Sequence, residues 1–141
     1  MIVNDKNITK YIPQRPPMVM ISELISSEEN KTITSLRISP ENIFFQEGYL
    51  REAGLVENIA QTAAAGIGYR YSLEGKTPPP GFIGGIRRLK IGPLPEAGDD
   101  IITEVTVDHV IMNASVITGK ISNKGTLIAA CEMKIFLLLN E

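Results

Sequence analysis

Residues 50 to 71 read LREAGLVENIAQTAAAGIGYRY, and between Glu52 and Arg70 they hold one charged side chain, Glu57. A lone carboxyl group among alanine, glycine, valine and isoleucine can act as a general acid. Confinement strips its hydration and favours the protonated form unless something pairs with it. An acid that keeps its proton near neutral pH can hand it to a leaving group. At about 100° per residue, the positions within about 60° of Glu57 are Leu50, Ala53, Gly54, Ala60, Gln61, Ala64, Gly68 and Tyr71. That face is mostly small, so another element can come close to it, while Arg51, Glu52 and Arg70 point elsewhere. Gln61 lies one turn on, where its amide can hold the carboxyl group by a hydrogen bond. The same pattern also fits a carboxylate in a structural hydrogen bond at a helix or subunit interface, or one that is simply exposed.

Few other residues offer chemistry. His109 is the only histidine and reads as an edge or surface residue of a strand. Cys131 is the only cysteine; it reads as a small buried hydrophobe and excludes an internal disulfide, which points to a reducing compartment. There is no Cys/His cluster with metal spacing, no phosphate-binding loop and no dinucleotide fingerprint. The formal net charge of −2 is spread without blocks of like sign. Arg87-Arg88-Leu89-Lys90 is too short a basic patch to argue for nucleic acid. The N-terminus lacks the apolar run of a signal peptide, and no window reaches the about 18 uncharged apolar residues of a membrane span. A cytoplasmic protein is expected.

The elements that must position Glu57 follow from hydrophobic patterning. The chain has 141 residues, which suits a single domain over 1–141. Residues 18 to 25, MVMISELI, read as a first strand, and Lys31 to Ser39 alternates as a second. The helix follows over about Leu50 to Tyr71; its glycines cost about 1 kcal/mol each relative to alanine, so they require a packing reason. Gly75 and Pro78-Pro79-Pro80 end it. Strands are expected over Phe82 to Ile91, Ile101 to Met112, Ala114 to Ser122 and Leu127 to Leu139, with turns at 93–99 and at Asn123-Lys124-Gly125. One long apolar helix with an antiparallel sheet is an α+β layout, and a sheet wrapped around such a helix suggests the hotdog arrangement.

Four stretches resemble the FabA/FabZ-like 3-hydroxyacyl-[acyl-carrier-protein] dehydratases, which have the hotdog fold. YIPQRPPMVMISEL (11–24) is similar to the family's opening "LPHRYPFLLVDRV", VENIAQ (56–61) to "IEAMAQ", and FIGGIRRLKIGPLPEAGD (82–99) to "FAGIDKARFRRPVVPGD"; NIFFQEG (42–48) is the fourth. A still closer likeness is to the divergent dehydratase-like proteins of aryl-polyene and flexirubin-type pigment clusters. These similarly have a shortened segment before the helical Glu and a "PGF…G-RR" stretch like that from Pro80 through Arg88.

The resemblance implies Glu57 as the catalytic carboxyl group at the departing hydroxyl, Gln61 as the helical Gln at the substrate-binding site, and Gly85 as the glycine whose amide polarises the thioester carbonyl. Arg87 and Arg88 would dock an acidic acyl carrier protein or its phosphopantetheine arm, which carries the substrate in place of any other cofactor; coenzyme A is the other carrier. The family's "GHFPG" histidine, which handles the proton on carbon 2, has no counterpart. That place reads Gln46-Glu47-Gly48-Tyr49-Leu50, where Tyr49 could hydrogen-bond a substrate or simply pack. Dehydration needs a base as well as an acid. Family sites lie across a dimer interface, so the missing histidine could come from a His-bearing hotdog subunit; a homodimer and such a heterodimer both stay open. Two other functions fit: a non-catalytic partner subunit, or a hotdog thioesterase in which Glu57 activates water.

Overall fold

The computed structural model describes residues 2–138. Its elements run in the order β1 (Glu23–Ser27), β2 (Lys31–Arg37), β3 (Phe45–Gln46), β4 (Tyr49–Leu50), α1 (Glu52–Leu73), β5 (Gly81–Ile91), β6 (Asp100–Ile111), β7 (Ala114–Asn123) and β8 (Thr126–Leu137). A 3₁₀ turn, Ile8–Lys10, precedes them. Six strands form one sheet in the order β1-β2-β6-β7-β8-β5, and every neighbouring pair is antiparallel. The helix packs on one face of this sheet, touching β1, β2, β5, β6 and β7. This is the hotdog architecture.

The core follows from the period-2 alternation of the long strands meeting the helix. Ile101 and Val105 of β6, Ile117 and Ile121 of β7, and Cys131 and Met133 of β8 all point inward, onto Leu55 and Ile59 of α1. A second, smaller cluster of Ile8, Ile12, Ile21 and Leu24 closes over Ala65 on the other flank of the helix.

The first strand begins at Glu23 and not at Met18. The backbone of Met18 and Met20 bonds to side chains of the helix instead of to a neighbouring strand. The helix begins and ends two residues later than the pattern predicts. Leu50 is held in β4 by its N–H to the Pro95 carbonyl, and Arg51 is extended, with φ −82° and ψ 168°. The β3–β4 hairpin was not anticipated; it turns through Glu47 and Gly48 at φ 55° and 90°, the paired left-handed geometry of a type I′ turn. The expected final strand reaches Leu137; its predicted end at Leu139 lies outside the described residues.

The packing reason for two helical glycines is contact with the N-terminal half of the chain. A Cβ at Gly66 would meet the Thr32 hydroxyl, and one at Gly68 would meet the main-chain carbonyl of Tyr11. Alanine at Gly68 would favour the helix by up to about 1 kcal/mol, but a backbone carbonyl cannot step aside as a flexible side chain can. We predict that Gly68→Ala lowers the unfolding free energy by about 1–3 kcal/mol, as overpacking does, measured by denaturant titration; a neutral or stabilising result would show that the Tyr11 segment is not seated as described.

Candidate functional site

Glu57 is half-buried on α1 and opens on a cleft of about 520 Å³. One wall is the helix stripe Glu57, Ala60, Ala64 and Ile67, spaced so that successive turns present the same face. The facing wall comes from Pro79 and Phe82, at the start of β5, and from Ile135 of β8; the segment from Lys10 to Gln14 closes a third side. Apart from Glu57 and that last segment the lining is largely apolar, as in most small-molecule sites.

One hydrogen-bond network fixes the carboxyl group. Gln61 is fully buried, and both its oxygen and its nitrogen are bonded. Its Oε1 accepts from the Met20 N–H at 2.6 Å, and its Nε2 donates to the Met18 carbonyl at 2.8 Å and to Glu57 Oε1 at 2.9 Å. The bond to Glu57 spans one helical turn, as the i, i+4 spacing requires. No other hydrogen bond and no ion pair reaches Glu57 among the described residues, so the second carboxyl oxygen is free for what enters the cleft. Asn58, which pattern reading overlooked, completes the grip. Its Nδ2 donates to the Met20 carbonyl at 2.8 Å, and its Oδ1 accepts from the buried Thr103 hydroxyl. Gln61 is therefore a positioning residue and not the substrate-binding one expected, because both its amide hydrogens are spent and the side chain is fully buried.

The remaining candidates lie elsewhere. Tyr49 is 40% exposed on the β3–β4 hairpin, paired to Glu96, while its neighbour Leu50 takes the inward position. It does not line the cleft. Gly85 sits on β5 opposite Lys134, beyond a bulge at Gly84. With Arg87, Arg88 and His109 it lines a groove of about 860 Å³ on the sheet face away from the helix. Arg88 reaches Glu132 at 3.3 Å there, and both guanidinium groups are exposed. His109 falls in the same lateral row as Val116, Lys134 and Gly85, so the sheet itself separates it from Glu57. Cys131 is packed in the core, where burial raises the pKa of its thiol and keeps it un-ionised and inert. No group of three or more His, Cys, Asp or Glu among the described residues could hold a metal ion, and no described helix is long and apolar enough to cross a membrane.

Replacing Gln61 should therefore cost more stability than replacing Glu57. Gln61→Leu leaves the buried Met20 N–H and the part-buried Met18 carbonyl without partners, and we predict a loss of about 2–4 kcal/mol, at about 1–3 kcal/mol for the fully buried group and less for the part-buried one. Glu57→Gln keeps an oxygen for the Gln61 donor and should change stability by less than about 1 kcal/mol. Equal losses in parallel denaturant titrations would contradict this division of roles.

Comparison with known proteins places this geometry in context. The model of the ApeP-like family, described as ApeP dehydratase, matches residues 6–138. The 3-hydroxyacyl-[acyl-carrier-protein] dehydratase FabZ of Caldanaerobacter subterraneus is 26% identical over 145 residues, covering 99% of this chain and all of that one. FabZ of Listeria monocytogenes is 25% identical over 142 residues, covering 96% and 95%. Among solved structures, a chain of the dehydratase heterocomplex ApeI:P from Xenorhabdus doucetiae superposes with a TM-score of 0.81 at 17% identity, over 94% of this chain and 91% of that one. A hypothetical thioesterase with coenzyme A from Streptococcus pneumoniae shares the fold at a TM-score of 0.66 and 12% identity, over 82% and 84%.

Proposed function

The chain belongs to the ApeP-like dehydratase family, and from that premise we propose that it supplies the acid half of a two-subunit dehydratase acting on 3-hydroxyacyl thioesters. Glu57 is the acid. A base takes the proton from carbon 2, and the electron pair left behind forms the double bond to carbon 3. The bond from carbon 3 to oxygen breaks, and the departing oxygen takes the Glu57 proton and leaves as water. The proton from carbon 2 returns to Glu57 through solvent before the next turnover.

The observation that carries this reading is the division of the polar groups by the sheet. Glu57 faces an apolar cleft with one carboxyl oxygen free, and the chain's only histidine lies on the opposite face. The base then comes from a His-bearing hotdog subunit. The solved heterocomplex ApeI:P, a dehydratase of the same fold, supports such an assembly. So does β5, an 11-residue strand at the end of the sheet with ten of its residues exposed. A free edge of that length is a template for strand pairing.

The substrate arrives on the phosphopantetheine of an acyl carrier protein, as the names of the FabZ relatives suggest, or on coenzyme A. Its acyl group is of the kind handled in fatty-acid or aryl-polyene-type synthesis. Arg87 and Arg88, exposed on the outer face of β5, offer an acidic carrier a docking point. The proposal gives Gly85 and Tyr49 no role at the Glu57 of their own chain.

In the complex with its partner subunit, we predict that Glu57→Gln lowers kcat for dehydration by at least about 10²-fold, the typical contribution of a positioned acid, with the assembly unchanged on size-exclusion chromatography. Undiminished turnover would leave the chain a non-catalytic partner. Release of the acyl group in place of water would make it a thioesterase.

A further inference from the structure

Three side-chain oxygens are buried without a hydrogen-bond partner among the described residues: Gln14 Oε1, Ser27 Oγ and Asn123 Oδ1. Only Gln14 lines the Glu57 cleft. Its main-chain carbonyl accepts from Arg15 Nη1 at 2.8 Å, and its side-chain amide makes no hydrogen bond among the described residues. Buried amide oxygens are almost always paired; this one belongs to a residue of the cleft wall, and a turn of the amide about its last torsion brings it to a donor that enters.

The position of Gln14 along the cleft follows from its neighbours in the chain. The Tyr11 carbonyl lies against Gly68, and the Met18 carbonyl bonds to Gln61. The segment between them runs along the helix from the level of residue 68 back to that of residue 61. Gln14 falls midway, about two helical turns beyond Glu57, or roughly 10 Å at 1.5 Å per residue. Between the two polar posts the helix presents only Ala60 and Ala64 to the cleft.

We propose that Gln14 is a specificity-determining residue: its Oε1 accepts a hydrogen bond from an N–H or O–H group carried by the substrate roughly 10 Å from carbon 3. The inference rests on the dehydratase reading for the placement of carbon 3 at Glu57. Two parts of a substrate can present such a donor. One is an amide N–H of the pantetheine arm, on the thioester side; the other is a hydroxyl near the distal end of the acyl chain.

The test uses the protein in its complex with the partner subunit and three probes: 3-hydroxydecanoyl-pantetheine, the same acyl group on propanethiol, which has no amide, and 3,10-dihydroxydecanoyl on propanethiol. Dehydration kcat/KM and equilibrium binding are measured for the native chain, for Gln14→Leu and for Gln14→Glu, which keeps an acceptor oxygen. We expect Gln14→Leu to lower kcat/KM about tenfold for the probe that carries the recognised donor, to spare the bare propanethiol probe, and to be relieved by Gln14→Glu. A loss confined to the pantetheine probe assigns the carrier arm as the source, and a loss confined to the dihydroxy probe assigns the acyl chain. Equal losses on all three probes, or none, overturn the assignment of Gln14 while leaving the dehydratase reading intact. Native protein that dehydrates no probe but binds them with the same donor dependence overturns the dehydratase reading and keeps Gln14; no dehydration and no donor-dependent binding overturns both.

Discussion

The structure depends on the burial of one amide. Gln61 is carried into the interior by the helix, and a buried amide without partners costs about 1–3 kcal/mol for each stranded group. It is satisfied by Met20 N–H, by the Met18 carbonyl and by Glu57 together. Those three bonds tie the N-terminal segment to the helix, keep residues 18 to 20 out of the sheet, and fix the direction of the Glu57 carboxyl group. The cleft exists where it does because the segment so held forms one of its walls. Asn58 and Thr103 extend the same network toward β6, so the carboxyl group is referenced to the sheet as well as to its own helix.

From that constraint follows an asymmetry of the two sheet faces. The inner face carries the helix, the core and the single acid. The outer face carries Arg87, Arg88, Lys134 and His109 around a separate groove. A dehydration site needs an acid and a base within reach of adjacent carbons, and one protomer of this chain puts its carboxyl group and its imidazole on opposite sides of the sheet. A free edge strand that runs beside the cleft supplies the means to bring in a second subunit. An assembly in which each subunit contributes one group is consistent with that arrangement.

Much of this was legible in the sequence where the determinants are local. The i, i+4 spacing of Glu57 and Gln61 on a small-residue face read correctly as a hydrogen-bonded pair, because a helix of 3.6 residues per turn sets such side chains side by side. The long strands and their turns read correctly because alternation and turn residues are short-range signals. What escaped depends on contacts between distant parts of the chain. Met18 and Met20 alternate like a strand, yet their backbone is claimed by helix side chains some 40 residues away. Asn58 looked like one more polar residue until Thr103 and Met20 closed around it. Gln61 was read as a substrate contact because its second and third hydrogen bonds come from that distant segment. The bulge at Gly84, which shifts the pairing of Gly85 on β5, likewise left no mark in the sequence pattern. Gln14 carried no signal at all, since an unpaired oxygen is a property of the packed structure alone.

The central claim is that this chain holds one half of a catalytic pair. Mass spectrometry of a 3-hydroxyacyl carrier-protein thioester, incubated with this chain alone, with a His-bearing hotdog partner alone, and with the two together, tests it most directly. The account predicts loss of water only from the mixture, with abolition of the product when the partner's histidine is removed. Full dehydration by this chain alone, as a homodimer, would contradict it.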